Sequence, residues 1–299
     1  MKIKRLASKD KPVFDSFFRK DIHNLSCFSF VNVLIWKDFF NFFWTIIEDN
    51  LCLFAKNNVG CFMYLPPLGA NISKRLVENC FKIMDGYNLD WNISRIENIE
   101  QDNLEVYNKL SLVLKPKDGE YIYETKNLIS LSGNDFKAKR SGYNYFVKNY
   151  NFQYAEFQPK FKTACIKLYK NWSKMRKVKF KDTIYQAMLE DNFKVHCRVF
   201  DFNKELGLIG RIVKIDDEVK AYSFGFKLNK DTFCILLEVA DLCFKGLPQF
   251  IFRQFSKELG SFKFINVMDD SGLKNIKRVK LSYRPCKLIP AYIATRSNA

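Results

Sequence analysis

Short apolar runs separated by turn residues fill much of the first third of the chain and predict β-strands. We expect strands, rich in Phe, Ile, Val and Trp, over residues 33–38, 42–47, 51–56, 60–64 and 89–93. Beyond these, apolar positions from Ile72 to Met84 recur at helical spacing, and Asn71 stands where an N-cap belongs. A second helix is expected near residues 99–110.

The rest of the chain shows longer amphipathic helices followed by a series of strands. Helices are expected over residues 135–150, 160–176, 183–193, 249–259 and 273–279. Strands are expected over residues 121–124, 152–157, 206–215, 219–228, 232–239, 262–267 and 288–295. The run at 232–239 is almost entirely apolar, which places it in the middle of a sheet.

The clearest boundary signal is Lys-Pro-Lys-Asp-Gly at residues 115–119. Because 299 residues amount to about two typical domains, it predicts an N-terminal domain over 1–116 and a C-terminal domain over 117–299. A weak internal echo supports a duplication. The apolar strands at 60–64 and 232–239 are each followed by a Gly/Pro turn and an amphipathic helix, although such units also recur by chance.

Composition narrows the class of protein. With 47% hydrophobic and 27% charged residues the chain is neither disordered, collagen-like nor a coiled-coil rod. Its nine cysteines lack any C-x-x-C pair, so we expect neither a disulfide framework nor zinc, and a reducing cytoplasm. The most apolar early run, at 25–36, is too short to span a bilayer, so no transmembrane segment is expected and membrane contact is limited to the periphery of the inner face.

Positive charge is concentrated in two windows. The net charge is +17, and residues 135–179 hold twelve basic and two acidic residues, while 274–287 hold six basic and none acidic. If the windows meet in space they form a footprint for an anion such as RNA or phospholipid. The alternative is that both are ordinary solvated helix faces.

Acidic and amide side chains follow two predicted strands. Glu238 ends one apolar strand, and Asn266 and Asp269 follow the strand at 262–267. A carboxylate that enters a core is costly unless it is paired or serves a site. If the two strands are parallel neighbours, these side chains converge at the strand ends, where α/β sheets bind ligands. A carboxylate there could orient an amine or take a proton from an attacking hydroxyl, so Glu238 and Asp269, together with Lys280, are the predicted catalytic residues. Asp270 is interpreted as a plain helix cap.

A helix predicted to begin near Gln249 follows a Gly-Leu-Pro turn, and its free N–H groups could hold a phosphate or carboxylate with Lys245 beside them. Many helices begin this way without binding anything. Further on, residues 277–285 interleave cations with a hydroxyl and an aromatic ring. Arg278 and Lys280 are candidates for holding phosphate, and Tyr283 for donating a proton or stacking.

Lys137, Lys139 and Arg140 open the earlier basic helix and are further candidates for phosphate binding. His23 and His196 are the only histidines, so no Ser/His/Asp set can be argued. No cluster has metal-ligand spacing, and no P-loop or G-x-G-x-x-G motif is present.

Several blocks together resemble a known family. They include Leu-Ser-Gly-Asn-Asp-Phe-Lys-Ala-Lys-Arg at 131–140, Asn-Val-Met-Asp-Asp-Ser-Gly-Leu at 266–273 and Lys-Leu-Ser-Tyr-Arg-Pro at 280–285. With residues 121–124, 207–215 and 219–225 they resemble the C-terminal domain of bacterial phosphatidylglycerol lysyltransferases. The resemblance implies an α+β or α/β fold of two tandem GNAT-like (N-acyltransferase-like) domains, each a mixed central sheet flanked by helices.

The resemblance also implies an acyl or aminoacyl transferase. Characterised relatives move an aminoacyl group from aminoacyl-tRNA to a lipid hydroxyl, and Fem-type ligases with similar paired domains act on cell-wall peptides. Carried over, Glu238 and Asp269 would hold the amino group of the aminoacyl moiety, and the Lys280 segment would face the tRNA terminus. Basic helices would take RNA or lipid phosphates.

This sequence differs from its relatives in two ways that bear on the donor and the acceptor of the transfer. GNAT enzymes bind CoA pyrophosphate with a Q/R-x-x-G-x-G/A loop, whereas residues 244–249 contain one Gly, so acyl-CoA is the second choice of donor. The lipid-modifying relatives usually carry a transmembrane region that this sequence lacks, which leaves the acceptor open as a hydroxyl or amine. No tightly bound cofactor is expected. A third interpretation is an RNA- or lipid-binding module that has lost the chemistry.

Overall fold

Residues 3–297, which the computed structural model describes, form two compact units. Unit 1 comprises residues up to 120, 269–272 and those from 288 onward, and unit 2 comprises residues 121–268 and 273–287. The predicted domain boundary after residue 116 stays a prediction.

Within the described residues, unit 1 contains four α-helices and seven strands, counting the first part of β6. The helices are α1 (Lys11–Phe18), α2 (Phe30–Ile35), α3 (Lys74–Asp85) and α4 (Leu104–Lys109). The strands are β1 (Lys4–Arg5), β2 (Asn41–Ile47), β3 (Asn50–Lys56), β4 (Cys61–Met63), β5 (Ile96–Glu100), the first part of β6 (Leu112–Glu124) and most of β12 (Lys287–Arg296).

Unit 2 contains six helices and six strands, counting the end of β6. The helices are α5 (Thr125–Ser130), α6 (Lys137–Asn149), α7 (Lys162–Lys179), α8 (Thr183–Phe202), α9 (Leu247–Glu258) and α10 (Lys274–Leu281). The strands are the last part of β6 (Leu112–Glu124), β7 (Gln153–Glu156), β8 (Ile209–Ile215), β9 (Glu218–Lys227), β10 (Thr232–Ala240) and β11 (Phe264–Asn266).

The two units share one topology. In unit 1, β1 to β4 pair antiparallel in chain order, α3 crosses over, β5 joins β4 in parallel and β12 pairs antiparallel with β5. In unit 2, β7 to β10 repeat the antiparallel series, α9 crosses over, β11 joins β10 in parallel and β6 pairs antiparallel with β11. The sequence similarity between the two strand–turn–helix units therefore reflects a repeated fold. The predicted mixed sheets with flanking helices are confirmed.

Two predicted strands of unit 1 are wrong. Residues 33–35 lie in α2 and residues 36–38 in the turn that follows it. The six residues of α2 are all buried, and its N-cap Ser29 accepts a hydrogen bond from the Val31 N–H. A helix buried on every side has no polar face, so its pattern cannot be distinguished from that of a buried strand. Residues 89–93 form a turn and a 3-10 segment capped by Asp90, and the strand begins at Ile96.

Helix α9 covers one face of the unit 2 sheet. Its buried side chains include Leu247, Phe250, Ile251, Phe252 and Phe255, which join two apolar clusters with β10. None of the helices in residues 3–297 combines the length and apolar character that a bilayer crossing requires.

Candidate active site

The middle of β10 is where the unit 2 sheet opens. Pairing with β11 covers only residues 232–234, so β10 continues through Ala240 without a further strand pair on that side in the described part of the chain. On its other side, the register with β9 shifts between Ile235 and Leu237, which marks a β-bulge. Bulges of this kind redirect side chains and are common beside active sites.

Glu238 follows the bulge and lies directly opposite Ser223 of β9. Its Oε2 atom is buried and makes no hydrogen bond, and the Oγ atom of the fully buried Ser223 likewise has no partner. Burial raises the pKa of the Glu238 carboxyl from 4.5 to about 8, and Ser223 only partly opposes this rise. A buried carboxyl oxygen without a hydrogen-bond partner, the Glu238 Oε2, indicates a place for a ligand, because a finished core satisfies such atoms internally.

Tyr283 and Lys139 extend this polar site. The Tyr283 ring packs against Phe252 of α9 at 4.7 Å between centroids, and the Lys139 Nζ lies 4.2 Å from the centre of the Tyr283 ring. Burial and then the charge of Glu238 raise the pKa of the Tyr283 hydroxyl, and burial lowers the pKa of Lys139. We call Glu238, Ser223, Tyr283 and Lys139 the Glu238 site.

Asn266 and Lys280 are both engaged with the backbone that follows β11. The Lys280 Nζ donates to the carbonyls of Val267 at 2.6 Å and Met268 at 3.1 Å. The Asn266 Oδ1 accepts from the Met268 N–H at 2.7 Å. Strands β10 and β11 are indeed parallel neighbours, with Asn266 paired to Cys234 four residues before Glu238. The substrate-binding role predicted for Asn266 and the catalytic role predicted for Lys280 stay predictions.

Asp269 and Asp270 belong to unit 1. Asp269 Oδ1 accepts from the Ser271 N–H at 2.8 Å and from its hydroxyl at 3.2 Å. Asp270 is buried and accepts from the Gly272 N–H at 3.0 Å, so it stabilises a turn. The interpretation of Asp270 as a helix cap is wrong, because α10 has Leu273 at its N-cap position. The catalytic role predicted for Asp269 stays a prediction.

The start of α9 offers few donors for an anion. Leu247 donates its N–H to the Phe244 carbonyl at 3.1 Å and Pro248 has no N–H, which leaves that of Gln249 among the first three helix residues. The preceding N-cap, Gly246, has φ +88°. A Cβ there would lie 2.1 Å from the Gly142 carbonyl oxygen, so this helix end is pressed against α6.

Of the remaining predicted substrate-binding residues, some contact other parts of the fold and others are exposed. Arg140 donates to the carbonyls of Leu131 and Gly133, which fixes the loop before α6. The Lys245 Nζ lies 4.5 Å from the centre of the Tyr145 ring, and the Gln249 side chain packs against Gly142 of α6. Lys137 and Arg278 are exposed.

The two basic windows do meet within unit 2. Arg284 forms an ion pair of 2.9 Å with Asp135, and Lys139 lies over the Tyr283 ring. These contacts bring the start of the first window beside the end of the second, so a common anion footprint is supported for these two ends of the windows.

Ser223 is the site residue that sequence reasoning missed. A lone Ser in an apolar strand carries no signal, and only the bulged register of β9 against β10 places it opposite Glu238. Within residues 3–297, no group of three or more His, Cys, Asp or Glu side chains is placed to hold a metal ion.

Comparison with known proteins identifies the family. Residues 20–295 match the family model of the phosphatidylglycerol lysyltransferase C-terminal domain. The chain belongs to this family. No curated protein is similar enough to count as a match.

Solved structures agree on the fold of this family member. A conserved protein of unknown function from Bacteroides thetaiotaomicron is 21% identical, with a TM-score of 0.86 over 99% of both chains. L-PGS from Bacillus licheniformis is 18% identical, with a TM-score of 0.64 over 97% of this chain and 93% of that one. A tandem GNAT protein from the clavulanic acid biosynthesis pathway is 6% identical, with a TM-score of 0.50 over 100% of this chain and 99% of that one. The predicted tandem GNAT-like fold is confirmed.

Proposed function

We propose that this family member is an aminoacyltransferase that moves an aminoacyl group from aminoacyl-tRNA to a hydroxyl or amine acceptor. One observation carries the proposal. The buried, unpartnered carboxyl of Glu238, with its raised pKa, stands beside an open strand edge in unit 2. Family membership supports the reaction class, since L-PGS shares the fold.

The reaction is acyl transfer from an ester. The acceptor oxygen or nitrogen attacks the carbonyl carbon of the aminoacyl ester, and the bond from that carbon to the tRNA ribose oxygen breaks. The acceptor's proton passes to the Glu238 carboxylate, and the protonated Glu238 then gives this proton to the ribose oxygen as the bond to the carbonyl carbon breaks. No covalent enzyme intermediate is needed, so catalysis rests on positioning and on proton transfer.

Glu238 suits this role because a general base works best when its pKa lies near the working pH. Its buried Oε2 can accept one hydrogen bond from the acceptor or from the ammonium group of the aminoacyl moiety. The Ser223 hydroxyl is placed to bond to the same group. Lys139 supplies positive charge on the side of Tyr283, where phosphates would approach.

The start of α9 favours aminoacyl-tRNA over acyl-CoA as the donor. A GNAT enzyme holds the CoA pyrophosphate on several free N–H groups at such a helix start. Here the Leu247 N–H already donates to the Phe244 carbonyl, Pro248 has no N–H, and Gly246 packs closely against α6. The two basic windows that meet at Asp135 and Arg284 suit a larger polyanion, and aminoacyl-tRNA implies that the protein works in the cytoplasm.

The sequence also predicts catalytic roles for Asp269 and Lys280, and the role of Asp269 is tested by its own substitution. Asp269→Asn should abolish turnover with little change in melting temperature. A large fall in melting temperature would show instead that Asp269 serves the turn at Ser271.

The decisive experiment supplies aminoacyl-tRNAs carrying radiolabelled amino acids and follows label into acceptors that have a hydroxyl or an amine. Transfer that disappears in Glu238→Gln and persists in a matched variant of the exposed glutamate, Glu205→Gln, supports the proposal. Titration with acetyl-CoA tests the alternative donor, since binding followed by acetyl transfer would contradict it. Binding of RNA without consumption of either donor would indicate a module that has lost its chemistry.

A further inference from the structure

The helical hairpin of α7 and α8 is much longer than its counterpart in unit 1. Both pairs of helices connect the first two strands of the repeated antiparallel series, β1 to β2 in unit 1 and β7 to β8 in unit 2. However, α7 and α8 have 18 and 20 residues, while α1 and α2 have 8 and 6. The shared topology needs only the shorter version. The added length therefore calls for a role of its own.

An open groove runs between these two helices. Its volume is about 660 Å³, and Tyr169, Leu189 and Phe193 give it an apolar floor. Lysines line it, including Lys170, Lys174 and Lys181. Helix α7 as a whole contains seven basic residues and no acidic residue, so the groove lies along a strongly positive surface.

Much of this charge is not neutralised. Lys177 forms an ion pair of 2.7 Å with Glu190 across the groove. By contrast, Lys170, Lys174 and Lys181 form no ion pair with any residue in the described part of the chain. Unpaired lysines on one surface attract an anionic partner, and the attraction weakens with salt.

The end of α7 and the start of α8, which flank the turn between them, also expose apolar side chains. Val178 is 66% exposed and Ile184 is 70% exposed, and Met175 lies one turn before Val178 at 39%. We call residues 174–184 the hairpin tip. Exposure of these apolar side chains to water is unfavourable, and the phosphate backbone of a nucleic acid offers them no favourable contact. The boundary between lipid headgroups and acyl chains accommodates both apolar side chains and flanking lysines.

We propose that the hairpin tip docks on the surface of an anionic phospholipid bilayer. Val178 and Ile184 enter the boundary between headgroups and acyl chains. Lys170, Lys174 and Lys181 lie at the level of the headgroup phosphates. The inference goes beyond the proposed function and does not depend on it, because docking is measured without any transfer substrate.

The test is sedimentation of the full chain with vesicles of phosphatidylcholine, with and without phosphatidylglycerol. We expect binding only to the anionic vesicles, weakened by salt. Neutralising the three unpaired lysines should lower binding on the order of 100-fold, since each lysine near such a surface contributes about fivefold. The variant is Lys170→Gln, Lys174→Gln and Lys181→Gln, with Lys204→Gln, Lys227→Gln and Lys230→Gln as its exposed control in unit 2.

The apolar variants distinguish docking on lipid from general attraction to polyanions. Val178→Ser with Ile184→Ser should lower vesicle binding about tenfold and leave tRNA binding unchanged. The matched control, Val59→Ser with Leu89→Ser, removes two apolar side chains of unit 1 that are at least as exposed, and it should change neither vesicle binding nor tRNA binding.

Three results would overturn docking. One is equal binding to neutral and anionic vesicles. Another is vesicle binding that the serine variant of the tip does not reduce. The third is an equal loss of vesicle binding and tRNA binding in the lysine variant, with no loss of either in the serine variant. The hairpin would then be a general surface for polyanions. Circular dichroism and thermal unfolding of each variant confirm that it is folded.

Discussion

The Glu238→Gln variant should be more stable than the wild type, and the difference in free energy of unfolding should grow as the pH rises. Below the unfolded pKa of 4.5 the carboxyl is protonated in both states, so its titration does not affect stability. Between pH 4.5 and about 8 the unfolded chain releases the proton while the folded chain keeps it, so the wild type loses stability with rising pH. Gln cannot titrate and escapes this loss.

The size of the effect follows from the pKa shift. A rise from 4.5 to about 8 corresponds to a ceiling of about 5 kcal/mol above pH 8. Because the Glu238 side chain is only half-buried as a whole, solvent screens part of this penalty, and we expect about 2 kcal/mol. That gain would accompany a loss of activity, the combination typical of a group kept for function at a cost in stability.

Urea unfolding of both proteins over a pH series measures the difference directly. The margin in favour of Glu238→Gln should be small near pH 4.5 and should reach its plateau above about pH 8. Glu205→Gln, a substitution of an exposed glutamate, should show no such trend. The raised pKa of Glu238 would be refuted by a stability difference that does not change with pH. It would also be refuted by a Gln variant that is less stable than the wild type at alkaline pH.

Three further predictions concern the surroundings of the site. Ser223→Ala removes a buried hydroxyl without a partner, so the free energy of unfolding should stay within about 0.5 kcal/mol of wild type while kcat/KM for transfer falls about tenfold; a marked loss of stability would show that the hydroxyl is satisfied in the fold. Gly246→Ala places a Cβ against the Gly142 carbonyl at positive φ and should lower the free energy of unfolding by about 3 kcal/mol in urea titrations, whereas a neutral result would place the start of α9 farther from α6. Arg140→Gln should cost about 1 to 2 kcal/mol, because two loop carbonyls lose a charged donor; unchanged stability with weakened tRNA binding would assign Arg140 to the ligand instead.

Strands and helices with a regular apolar pattern could be predicted from the sequence. In α3 the buried positions Leu76, Val77, Cys80, Phe81 and Met84 are those that helical spacing selects. The pattern failed where burial was complete, as in α2, because an element without a polar face has no period.

The acidic position at Glu238 could also be predicted, because a carboxylate at the end of an apolar strand is expensive to bury. Its partner Ser223 could not, since the bulge at β10 decides which residues of two strands stand opposite each other. Likewise, the sequence could not show that the Lys280 Nζ donates to the Val267 and Met268 carbonyls. Contacts of this kind depend on tertiary placement that no local pattern encodes.

The most direct test of the proposed chemistry is the pH dependence of single-turnover aminoacyl transfer by the wild type and by Glu238→Gln. For the wild type we predict a rate that rises with pH and levels off above an apparent pKa near 8, the value that burial gives the Glu238 carboxyl. For Glu238→Gln we predict a rate at least about 100-fold lower, without that rise. A Gln variant that transfers the aminoacyl group at the wild-type rate and with the same pH profile would show that Glu238 is not the base.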